Sequence, residues 1–159
     1  MSKTAVSTRQ LAVNAAFMKE IKDDNQHLKT LWDQIVPIAT HSQTAVNHWS
    51  QVVILLGELR DQLAIHFSLE EAYGYFDEAI DTAPQLSIVA ECLRNEHGKL
   101  FEQIRDLADG AAEVRSDQVE RIATYVELFQ NFRKHFERHE EAELKMILQA
   151  MDDDIGVGD

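Results

Sequence analysis

Apolar and polar positions along this 159-residue chain alternate in steps of three and four, the spacing of residues that share one helix face. The stripe reads Phe17, Ile21, Asp24, His27 or Leu28, Leu31 and Ile35 near the N-terminus. Further on it reads Leu56, Leu59, Leu63, His66, Glu70 and Tyr73, then Leu93, His97, Leu100, Ile104 and Leu107. The last run is Phe129, Phe132, Phe136, His139, Glu143 and Met146. These runs predict four long helices over roughly 8–39, 44–77, 83–109 and 116–150. Punctuation between them agrees. Thr40 and Gln43 have the capping-box form, with Thr40 as N-cap. Asp81 offers an N-cap ahead of Pro84, Gly110 can end the third helix, and Ser116-Asp117 can begin the fourth. With short connections and no internal repeat, residues 1–150 read as one all-α domain, an up-down-up-down four-helix bundle. Residues 151–159, MDDDIGVGD, read as an acidic tail.

The seams hold residues that a core does not want. His66, Glu70, His97, His139 and Glu143 stand where leucine belongs, and His27 is compatible with the less sharply defined first seam. A lone histidine in a seam is commonly a hydrogen-bonded core residue. Six polar residues drawn from four helices need a shared explanation, because a buried charge costs several kcal/mol unless it is paired or binds metal. The midpoints between His66 and His97, and between His97 and His139, fall in or close to expected turns. The midpoint between His27 and His66 falls a few residues beyond the nearest turn signals, a mismatch of several ångströms at about 1.5 Å per residue. A kink at Pro37 or a long first connection would absorb it.

Four imidazoles and two carboxylates exceed what one reactive metal takes from protein. Two metals bridged by carboxylate account for them, and a set without thiolate points to non-haem iron, with manganese or a mixed pair as alternatives. In HFERHEEAE (135–143), His135 lies one helical turn before His139 and could add an imidazole or simply flank the seam. Asp24 could accept the free ring N–H of His27. Glu140 and Glu141 read as solvated, His41 and His48 as surface residues, and Tyr73 and Phe101 as packing around the site.

Composition narrows the partners. A formal charge of -13 argues against nucleic acid and anionic membranes. No apolar run is long enough for a transmembrane helix, and MSKTAVSTRQ lacks the apolar core of a signal peptide. The single cysteine, Cys92, has apolar neighbours that suggest core packing, and its solitude agrees with a reducing cytoplasm.

The segments DDNQH (23–27), HFSLEEAYGYF (66–76), EHGKLF (96–101) and HEEAELKMIL (139–148) together resemble the hemerythrin-like, or HHE cation-binding, domains. The two H-x-x-x-E motifs, His66 to Glu70 and His139 to Glu143, carry most of the likeness, which spans about residues 15–150. The resemblance implies a four-helix bundle around a non-haem di-iron centre. His27, His66, His97 and His139 then look like terminal ligands, and Glu70 and Glu143 like bridging carboxylates. Oxygen-carrying members place two histidines four apart on the third helix, whereas Phe101 stands four after His97 here. The expectation is a protein that binds or senses O2, NO or a related small ligand, more a ligand-binding metalloprotein than an enzyme. The alternative is a di-iron enzyme or iron-handling protein acting in peroxide or NO reduction, or in ferrous iron oxidation or donation.

Overall fold

The computed structural model describes the backbone of residues 2–72 and 84–158, and the side chains of 18–71 and 84–152. Its helices are α1 (Ser2–Ala39), α2 (Ser42–Asn47), α3 (Trp49–Ala72), α4 (Ser87–Ala112) and α5 (Val119–Gly158). A 3-10 turn, Pro84–Leu86, leads into α4 and suits proline, whose missing N–H would have no helical partner there. The expected N-cap Asp81 and the expected site-lining Tyr73 lie outside the described residues.

Several boundaries differ from expectation. The hydroxyl of Thr40 donates back to the Val36 carbonyl at 2.7 Å, completing the last turn of α1 instead of capping the next helix. His41 occupies the N-cap of α2 with extended backbone and no side-chain capping bond. The expected second helix is also broken at His48, where the backbone N–H donates to Thr44 and the ring Nδ1 meets the same carbonyl at 3.0 Å. This extra turn lengthens the first connection, and α1 runs through Pro37 to Ala39. Residues expected as a tail continue α5 as far as Gly158.

The four long helices pack in sequence around the bundle, α1 on α3, α3 on α4 and α4 on α5, while α2 packs against α5 and α1. Neighbours run antiparallel. Arg60 reaches Asp109 near one end of the α3–α4 seam, and Glu71 reaches His97 further along it. On the α4–α5 seam Gln103 meets His135, and Gly110 lies against Tyr125. The up-down-up-down bundle is thus the observed fold, and the described residues contain no strand.

Two apolar cores stack along the bundle axis. The larger includes Leu31, Ile35, Leu56, Leu59, Leu63, Leu100, Ile104, Phe129 and Phe132. Trp32 packs over Phe129, Phe132 and Phe136, with ring centroids 5.6 to 6.4 Å apart. The Trp49 indole donates to the buried Val114 carbonyl at 2.8 Å, tying the start of α3 to the end of α4. The smaller core gathers Leu86, Ala90, Leu93, Met146 and Ala150. Chain order along the helices puts His66, Glu70, His97, His139 and Glu143 between the two. At roughly 1.5–3 kcal/mol per fully buried large apolar side chain, the flanking cores supply the stability against which that polar layer is kept inside. No described helix is long and apolar enough to cross a membrane.

Candidate metal centre

Helical spacing brings the layer together. His66 and Glu70 stand one turn apart on α3, as do His139 and Glu143 on α5, and α4 contributes His97 between them. All five are buried; His139 is 1% exposed and Glu143 4%. Glu70, His97, His139 and Glu143 offer donor atoms that all lie within 4.8 Å of one another. His66, Glu70 and Glu140 form a second such group, so Glu70 belongs to both.

The Nε2 atoms of all three histidines face the shared carboxylates. His66 Nε2 lies 2.5 Å from Glu70 and 3.0 Å from Glu140. His97 Nε2 lies 3.0 Å from Glu70 and 3.5 Å from Glu143, and His139 Nε2 lies 2.5 Å from Glu143. Burial opposes charge on His66, but hydrogen bonds to Asp24, Glu140 and Glu70 outweigh it and push its pKa up to about 12. His97 is pushed up to about 10, burial again being outweighed, here by Glu143, Glu70 and Glu71. Glu70 is held below its ordinary value: burial would raise it, but the close approach of the His66 and His97 imidazoles outweighs that. Without a cation, protons on these imidazoles supply the positive charge that the carboxylates require.

That compensation is incomplete. Glu70 Oε2, Glu143 Oε2 and His139 Nε2 are buried without a well-directed hydrogen bond, although charged neighbours stand close. Donors that converge on a common point but do not bond one another are what a bound cation satisfies. Imidazole and carboxylate together suit iron, zinc or manganese, and the described donors include no thiolate. The residues present therefore fit a metal site.

The structure gathers five of the six residues expected from the sequence, and His27 is the exception. The inward stripe of α1 is Asp24, Leu28, Leu31, Ile35 and Ala39, which leaves His27 on the exposed face and outside both donor groups. Asp24 takes the inward place, its carboxylate accepting from His66 Nδ1 at 2.6 Å rather than from His27. His135 lies outside both groups as well, its ring nitrogens on Gln103 at 3.0 Å and Glu96 at 3.3 Å. Glu140, expected to be solvated, is half-buried against His66. Its position directly after His139 was the available signal, because a residue beside the seam points at the neighbouring helix. Phe101 packs half-buried against the larger core, and His41 and His48 are exposed. Cys92 is exposed rather than packed, because Ala90 and Leu93 take the inward positions of that turn.

Neither a curated protein nor a solved structure matches the chain. Residues 16–152 match the family model of the hemerythrin HHE cation-binding domain, a span that includes every residue of both donor groups. The chain belongs to the hemerythrin HHE cation-binding domain family.

Proposed function

We propose that this chain is a non-haem di-iron protein that binds or senses a small ligand such as O2 or NO. The observation that carries the reading is the membership of Glu70 in both donor groups, as expected of a carboxylate bridging two ions. One group offers two imidazoles and two carboxylates. The other offers one imidazole and two carboxylates, so it is the poorer in donors and leaves more room for an external ligand. A cavity of about 360 Å³ reaches that poorer group, passing Asp24, His66, Glu70 and Glu140. Ile21, Leu69, Leu144 and Ile147 form its apolar wall. His66, Glu70 and Glu140 would hold iron there, which would supply electron density to O2 or NO.

One observation favours the enzymatic alternative. With His27 outside and Glu140 inside, the donor set becomes three imidazoles and three carboxylates, harder than the set expected from sequence. Hard anionic donors stabilise ferric over ferrous iron, which favours one-way oxidation over reversible carriage. The test is a titration of anaerobic, Fe(II)-loaded protein with NO and then with O2, followed by visible and EPR spectroscopy. The proposal expects about one ligand per pair of irons. An O2 spectrum that reverses on degassing supports carriage or sensing, and irreversible oxidation with turnover under reductant supports the enzyme. An iron-loaded protein whose spectrum neither gas changes overturns both.

A further inference from the structure

Each of the three inward histidines has a carboxylate behind it, two of them within hydrogen-bond distance. His66 on α3 meets Asp24 of α1 through Nδ1 at 2.6 Å. His97 on α4 meets Glu71 of α3 through Nδ1 at 3.0 Å, and His139 on α5 meets Glu96 of α4 through Nδ1 at 3.7 Å. Each carboxylate thus sits on the long helix that precedes its histidine, and the pattern steps once round the bundle. In every case Nδ1 points outward to an anion while Nε2 points inward to Glu70 or Glu143.

Resting on the di-iron reading, we infer that Asp24, Glu71 and Glu96 are positioning residues that present Nε2 of each imidazole to the metals and lower the reduction potential of the pair. An Nδ1–H donated to a carboxylate fixes the tautomer and ring plane and makes the ring a stronger donor. A stronger donor, backed by a fixed negative charge, favours the more oxidised metal.

The three are not equal. Asp24 is the closest and most buried, its side chain 5% exposed, and Gln62 anchors it by donating to Oδ1 at 2.8 Å. Glu71 is 48% exposed, so water and salt weaken its field. Glu96 is 32% exposed, lies beyond direct hydrogen-bond reach of His139 and also contacts His135. The effect ranks Asp24 first, Glu71 second and Glu96 last. The sequence places two of the three without effort: Glu71 follows the inward Glu70, and Glu96 precedes the inward His97, so each turns about 100° toward the neighbouring helix.

The test compares Asp24→Asn, Glu71→Gln and Glu96→Gln with the unaltered chain. Fe(II) affinity is read by chelator competition, and reduction potential by spectroelectrochemistry of the loaded protein. Asp24→Asn is expected to weaken metal binding about 10–100-fold and to move the potential positive, with Glu71→Gln and Glu96→Gln progressively milder. Gln62→Leu, which loosens Asp24 without touching a histidine, is expected to shift the potential in the same direction by less. Folding is controlled by circular dichroism of each variant. If the unaltered chain holds iron and Asp24→Asn leaves both affinity and potential unchanged, the inference is overturned while the di-iron reading stands. A larger effect from Glu96→Gln than from Asp24→Asn overturns it too. An unaltered chain that takes up no iron overturns the di-iron reading itself, and this inference with it.

Discussion

His66 touches three carboxylates, Asp24 through Nδ1 and both Glu70 and Glu140 through Nε2, so its charge state governs the layer. Its pKa without metal, raised from 6.5 to about 12, sets the sign of a pH effect. The stabilising charge is fully present below about pH 6.5 and is lost as pH rises toward 12; His97, raised to about 10, adds to the same trend. Glu70 works in the opposite direction. Its lowered pKa contributes stability above its ordinary 4.5 that is lost as pH falls through the folded value. Metal-free protein should therefore be most stable between about pH 4.5 and 6.5. Its Tm should fall from pH 6.5 to 9, whereas metal affinity should rise over that range because the cation must displace the proton from Nε2. Scanning calorimetry of metal-free protein, with chelator competition at both pH values, checks this. A metal-free Tm that climbs toward pH 9 would contradict it.

Helices carry the residues to that layer, and small departures from ideal punctuation decide who arrives. The first seam was ambiguous between His27 and Leu28, and Leu28 won because it continues the apolar run to Leu31 and Ile35. That choice turns His27 out and leaves Asp24 as the polar residue of the stripe that faces inward, an outcome no propensity at either position announces. The break at His48 was equally hidden, since Asn47-His48-Trp49 contains neither glycine nor proline. The indole of Trp49, bonded to Val114 65 residues away, helps hold that boundary, and a tertiary bond of this kind leaves no local trace. Gly110 was visible as special but for another reason than expected. It does not end α4, which runs to Ala112; it makes room for Tyr125, whose ring a methyl at that position would overlap. Gly110→Ala would gain about 1 kcal/mol of helix propensity but lose about 1–3 kcal/mol to overpacking. A net loss of about 1 kcal/mol, or about 2–4 °C in Tm, is expected in thermal unfolding. Adding Tyr125→Phe should recover part of it. A single variant more stable than the parent would refute the close approach.

Across the whole molecule, the bundle, its antiparallel order and the polar layer between two cores follow from spacing alone, because a 3.6-residue period fixes which side chains point inward. The partners of the layer were less legible. Glu71, Glu96 and Glu140 each adjoin a seam residue, which turns them toward a neighbouring helix, but spacing alone does not say which partner they meet there. Their meaning depends on which helix lies alongside. The sharing of Glu70 between two donor groups is likewise a three-dimensional fact, and the proposed pair of ions rests on it. The most direct measurement is elemental analysis of the chain and of Glu70→Ala and His27→Ala, each purified and reconstituted with Fe(II) without oxygen. We expect about two irons per chain in the parent and in His27→Ala, and a collapse of both in Glu70→Ala, where the shared donor is lost. One iron or none in the parent, or a loss on His27→Ala that matches Glu70→Ala, would contradict a di-iron centre built on Glu70.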